Sequence, residues 1–132
     1  MGFKINEAME GKGVRMAALV LLILSVTIVA SCKMPFIEIG NPDLSLVLDG
    51  TWVGYYDAEL VKAKVAVVVA DHYIESVTIL EHDCSSIGEK AESIVNDIVA
   101  RQSLEVDAVS GATGSSRCIL KATEIALYAG ME

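Results

Sequence analysis

Ten residues hold most of the chemistry this sequence can offer: Asp107-Ala108-Val109-Ser110-Gly111-Ala112-Thr113-Gly114-Ser115-Ser116. Hydroxyls, two glycines and small residues are packed into one stretch, and a helical pattern follows at once through Ile119, Ala122, Ile125, Ala126 and Ala129. Ser115 or Ser116 is the expected N-cap of that helix. The first N–H groups of a helix lack intrahelical acceptors, and the helix dipole favours negative charge beside them. Gly111 and Gly114 let a ligand come close to the backbone. The residue types therefore describe a seat for a phosphate-sized anion with hydroxyls at hand. Equally, Ser/Gly/Thr loops commonly do no more than turn the chain and cap a helix.

The elements that must position this loop can be read upstream. Thr51 to Tyr56 is rich in β-branched and aromatic residues and predicts a strand. Val61, Ala63, Val65, Val67 and Val69 alternate with Lys62, Lys64, Ala66 and Val68, a period of two that predicts a half-buried strand. Asp71-His72 makes a turn, and Tyr73 to Leu80 is the hairpin partner, with Val77 and Ile79 apolar. Cys84-Ser85-Ser86-Ile87-Gly88 reads as a loop. From Gly88 to Gln102 the stripe Ala91, Ile94, Val95, Ile98 and Val99 predicts an amphipathic helix. Leu104 to Val109 extends toward the motif as a candidate fourth strand. The order of strands, helix, short strand and helix argues an α+β fold, an antiparallel β-meander packed against two helices.

The start of the chain has a different character. Lys4, Lys12 and Arg15 precede an uncharged, largely apolar run from Met16 to Ala30, the pattern of a secretory signal or an N-terminal anchor. The run is somewhat short for a membrane span of about 20 apolar residues. Val29-Ala30-Ser31-Cys32 resembles the bacterial lipobox, in which the cysteine receives lipid and cleavage falls just before it. Residues 1–32 are thus expected to be a lipoprotein-type signal peptide or membrane anchor. Residues 33–48 are expected to be a tether, broken by Pro35, Gly40 and Pro42, with Leu44, Leu46, Val47 and Leu48 apolar enough to pack on the domain. The domain proper is expected over 49–130. Either reading of the start places that domain outside the cytoplasm and tied to a membrane.

Charge narrows the function. The chain carries −8 formally. Residues 1–32 hold three cations and two anions, so the remainder is near −9. A nucleic-acid binder would need a basic surface for phosphates, and that class is set aside. An acidic domain suits docking on a basic partner. No CxxC or His-rich spacing argues for zinc, haem or an iron–sulfur cluster. Cys84 and Cys118 could pair in an oxidising compartment, but spacing alone does not supply a disulfide geometry.

Asp107-Ala108-Val109-Ser110-Gly111-Ala112-Thr113 resembles the flavinylation motif of the FMN-binding domain family. That family includes the flavin subunits of sodium-pumping NADH:quinone reductase and of the Rnf complex, and small electron-carrying lipoproteins. The resemblance extends over about the last two thirds of the chain. Asp49-Gly50-Thr51-Trp52-Val53-Gly54 resembles the opening segment, Leu80-Glu81-His82 the end of the second hairpin strand, and Gln102-Ser103-Leu104-Glu105-Val106 the approach to the motif. The resemblance implies FMN as cofactor, joined through its phosphate to Thr113 by a dedicated flavin transferase. It implies that Asp107 belongs to the recognised motif, while Ser110, Gly111, Ala112 and Gly114 shape the phosphate loop. His82 falls where the family often has a histidine. Trp52, Tyr55 and Tyr56 could stack on a flavin, although strand aromatics more often pack in the core or across strands.

The implied function is that of a membrane-tethered flavoprotein carrying electrons between a membrane redox complex and another carrier, rather than a stand-alone enzyme. Two alternatives stand beside it: the same fold with non-covalent FMN, and a flavin-free lipoprotein acting as a binding or assembly module.

Overall fold

A computed structural model describes residues 36–132; the signal-like run, the lipobox-like segment and Cys32 lie outside the described residues. Three strands form an antiparallel sheet in the order β1-β2-β3: β1 Gly50–Asp57, β2 Lys62–Ala70 and β3 Tyr73–Asp83. Two helices follow, α1 Ile94–Arg101 and α2 Thr113–Ala129. This is the α+β meander with two helices that the sequence pattern predicts. Among the described residues no helix is long and apolar enough to cross a membrane.

The period of two in β2 is realised fully. Ala63, Val65, Val67 and Val69 are buried, and the residues between them are half-exposed. Asp71 and His72 both take positive φ, 51° and 61°, the conformation a two-residue type I′ hairpin requires. Asp and His tolerate it better than bulkier residues. The turn is tied down by Asp71 N–H, which donates to Asp49 Oδ1 at 2.9 Å. β3 is longer than expected, reaching Asp83, and its pairing with β2 is irregular at Lys64/Val65 and at Val68/Val69. Such bulges bend a strand and re-aim its side chains.

α2 covers the inner face of β1 and β2, and one residue sets how close it comes. Gly54 is buried on β1, and a Cβ there would collide with the Ala122 carbonyl oxygen and lie 2.7 Å from the Ala126 nitrogen. Ala122 and Ala126 are themselves small, so helix and strand meet backbone to backbone. Cys118, Ile119, Ala122, Ala126 and Leu127 fill the contact. Ile125 and Ala129, which the helical pattern groups with this face, are exposed instead. Leu120, Thr123 and Glu124 are buried in their place, because the N-terminal segment covers a second side of the helix.

That segment does more than connect. Ile37 and Val47 are buried in the core, Leu44 packs against it, and Leu46 and Leu48 stay exposed. Asp43 caps a short 3-10 turn, Leu44–Leu46, by accepting from Ser45 N–H at 2.9 Å. Leu48 N–H donates to Gly130 O at 2.8 Å, which joins the entry of the domain to its end.

Two expectations need correction. The predicted helix over Gly88–Gln102 is a 3-10 turn, Gly88–Ser93, followed by α1. Its apolar stripe is real: Ala91, Ile94 and Ile98 are buried, with Val95 and Val99 packed beside them. Gln102 ends α1 in the left-handed conformation, φ 52°, and its amide reaches both main-chain groups of Ile74 and the Val99 carbonyl. The second correction is Leu104–Val109, which forms no strand. Side chains satisfy its backbone instead of a ladder: Leu104 N–H donates to Asn41 Oδ1 at 3.1 Å, Glu105 N–H to Ser103 Oγ at 3.0 Å, and Val109 N–H to Ser116 Oγ at 2.9 Å.

Replacing Gly54 by valine should force α2 off the sheet. Overpacking costs about 1–3 kcal/mol and more against backbone, and each kcal/mol is worth roughly 4–8 °C in a domain of this size. A thermal melt should show the midpoint of Gly54→Val lowered by about 10 °C or more. A midpoint within about 2 °C of wild type would show that the close approach is not required.

Candidate functional site

The predicted motif surrounds the N-terminus of α2. Asp107 is exposed, and Ala108 and Val109 are half-buried. Ala112 N–H donates to Val109 O at 3.0 Å, closing a turn around exposed Ser110 and Gly111. Gly111 has φ 80°, a conformation that favours glycine, and no atom lies within 4 Å of where its Cβ would be. Ala112 is buried and stands at the N-cap position. Thr113 is the first helical residue and is exposed, with Gly114 half-buried behind it.

The expected serine cap is not made. The helix starts two residues before Ser115, and both serines are buried within its first turn. Ser116 Oγ is already engaged: it donates to Ala112 O at 2.8 Å and accepts from Val109 N–H at 2.9 Å. It therefore fastens the loop to the helix from inside. No side chain caps α2, and no acidic residue lies in its first turn. The first N–H groups of a 17-residue helix are thus left for an external acceptor, at the positive end of its dipole.

This arrangement can receive a phosphate group. The Thr113 hydroxyl is accessible, the loop beside it is open, the chain's own carboxylates are absent from the helix start, and the donors there lack a competing cap. A single negative charge at this point would be favourable by about 0.3–1 kcal/mol at an exposed helix end.

Behind the helix start lies a polar cluster that sequence reading did not assemble. Gly88 brings it together, since a Cβ there would meet both Ser115 Oγ and Cys84 Sγ, the latter at 3.0 Å. His82, which could have been a surface residue, has a side chain only 2% exposed. Its Nδ1 lies 3.0 Å from Glu92 Oε1 and 3.5 Å from Cys84 Sγ. A carboxylate oxygen only accepts, so the proton of this contact belongs to Nδ1. Nε2 is buried with no hydrogen-bond partner. Desolvation, and then the carboxylates of Glu89 and Glu92, push the Cys84 thiol above its ordinary range. Burial pushes the Cys118 thiol up to about 11. Both cysteines are free, and neither is an activated thiolate.

Two of the three aromatic candidates, Trp52 and Tyr56, pack against the core. Trp52 Nε1 donates to Leu48 O at 2.9 Å, Tyr56 packs on the core, and Tyr55 stands exposed with its hydroxyl 3.4 Å from Asp57 Oδ2.

Compared with known proteins, the family model described as FMN-binding domain matches residues 59–128, more than half of the chain. The matched span runs from just before β2 to near the end of α2, and β1 precedes it. No curated relative and no solved structure matches at a significant level.

Ser116→Ala should leave Val109 N–H without its acceptor. Val109 N–H is half-buried, so the cost falls at the low end of the about 1–3 kcal/mol for an unpaired buried group, and the thermal midpoint should fall by roughly 5 °C. A change below about 2 °C would mean that Ser116 does not hold the loop to the helix.

Proposed function

This chain belongs to the FMN-binding domain family and takes FMN as its cofactor, and we propose that it does so as a membrane-tethered electron carrier outside the cytoplasm, with the FMN phosphate esterified to Thr113. The observation that carries the ester is the position of Thr113: an exposed hydroxyl at the uncapped start of α2, within the span matched by the family.

Each motif residue has a distinct part in this reading. Thr113 Oγ1 provides the oxygen of the ester. Gly111 keeps the approach clear, and Ser110, Ala112 and Gly114 shape the loop and expose backbone donors. Asp107, exposed at the start of the motif, is available to a modifying enzyme. A threonine hydroxyl is a poor nucleophile without activation, and no acidic side chain stands in the first turn of α2 to supply it. A separate flavin transferase therefore makes the bond from an activated flavin nucleotide: the Thr113 O–P bond replaces the donor's phosphoanhydride bond, the other nucleotide half leaves, and the hydroxyl proton passes to solvent. The remaining phosphodiester charge faces the helix N-terminus.

Bound FMN supplies the redox chemistry; the protein sets its surroundings and its access to partners. A covalent bond suits a carrier outside the cytoplasm, where lost FMN is not readily replaced. The apolar run Met16–Ala30 and Cys32 support tethering by lipid or by an N-terminal anchor. The net negative charge supports docking on a basic face of a membrane redox complex or another carrier.

The ester is tested with full-length protein from a host whose transferase is active. After denaturing electrophoresis, wild type should keep flavin fluorescence in its band and Thr113→Ala should have none. Fluorescence retained in the mutant would exclude Thr113. Flavin released from wild type by denaturation would replace the ester with non-covalent binding.

A further inference from the structure

The face of α2 that carries Thr113 leads into a groove. At 3.6 residues per turn, Arg117 and Leu120 follow Thr113 along nearly one stripe, and Arg117 is about 6 Å further along the axis. Ser115, Cys118 and Ile119 are turned away from that stripe and are buried. Thr113 and Arg117 thus share a side of α2 that is not packed on the sheet, and the Arg117 side chain leans back toward the turn that holds Thr113.

On the Arg117 side, residues 36–40 and 104–108 run over the helix and enclose about 300 Å³. Ile37, Leu104 and Leu120 give it a buried apolar floor, and Val106 a half-buried wall. Ala108, next to Asp107, lines the groove, so the motif itself forms part of its border. The Arg117 guanidinium lies 4.8 Å from the centroid of the Phe36 ring, and Nη1 donates to Ile37 O at 3.2 Å. Phe36 is 80% exposed. Glu38 and Glu105 also border the groove, but both are exposed to water, whereas Arg117 is half-buried and held by these two contacts.

An apolar floor, an open aromatic ring and a fixed guanidinium suit a planar heteroaromatic group that can carry negative charge. We propose that this groove seats the isoalloxazine ring of the FMN on Thr113, with Arg117 as the cation at its edge and Phe36 as its outer cover. The assignment rests on the Thr113 ester. The five-carbon ribityl chain joins phosphate to ring, and Thr113 and Arg117 are one helical turn apart along the axis of α2. Reduction of the ring by two electrons and one proton, supplied in a titration by dithionite and water, leaves it with one negative charge. Arg117 favours that form.

The test uses full-length, flavin-loaded protein purified from its host membrane, with loading of every variant established by intact mass. Arg117→Gln should make the midpoint potential more negative by about 30 mV, equivalent to a tenfold loss in relative stabilisation of the reduced form for a two-electron couple. Phe36→Ala, at an exposed position, should at least double the quenching of flavin fluorescence by iodide. Val106→Trp, which fills the groove, should raise quenching in the same way without removing a charge. Those two variants decide the matter if Arg117→Gln does not fold. Loaded variants with wild-type potential and quenching would overturn the groove and leave the ester standing. Wild-type protein without flavin on Thr113 would overturn both.

Discussion

The structure depends on a contact that leaves no room for a side chain: α2 lying on β1 at Gly54. Because strand and helix meet there through backbone, the helix is held flush against the sheet along Cys118, Ile119, Ala122 and Ala126. Packing of this kind fixes the rotation of a helix about its own axis, since a turn of one residue would drive larger groups into the strand. That rotation decides what the N-terminus presents. Ser115 and Ser116 are turned inward, and Thr113 and Arg117 are left on accessible sides. The proposed ester requires a Thr113 that a modifying enzyme can reach, and the fold leaves this residue exposed.

The loop before α2 is fixed by a different set of forces. Its backbone is not part of the sheet, so its polar groups need other partners. Asn41, Ser103 and Ser116 supply them, and Gly111 accepts the left-handed conformation in which the turn is made. The positive end of the helix is meanwhile left without a cap or a carboxylate. Capping residues normally stabilise a helix by about 0.5–2 kcal/mol. A helix start that goes without one, beside an exposed threonine, is suited to receive that stabilisation from an attached phosphate.

How much of this the sequence disclosed depends on the kind of signal. The alternation in β2 and the apolar stripe of α1 are periodic, and both appear in the structure with the expected faces buried. The motif was legible as residue types, and FMN as cofactor follows from the family to which those residues belong. Non-periodic features were not legible. The serines were expected to cap α2 from outside, because Ser is a good N-cap; the helix instead begins at Thr113, and Ser116 bonds to Ala112 O and Val109 N–H. Leu104–Val109 has the apolar content of a strand, but its N–H groups take side-chain acceptors on Asn41, Ser103 and Ser116 instead of a ladder. The cluster joins His82, Cys84 and Glu92, which are near one another in the chain but carry no periodic signal, to the distant Ser115, and the clearest trace of it in the sequence is Gly88, whose missing side chain makes room for Cys84 and Ser115.

The proposed function turns on one covalent bond, and a mass measurement addresses it without intermediaries. Protein purified from its native membrane would be digested and the peptide containing Thr113 weighed and fragmented. The expected result is the mass of FMN less one water, with the fragment series placing it on Thr113. An unmodified Thr113 peptide, from cells that flavinylate other proteins, would contradict the account.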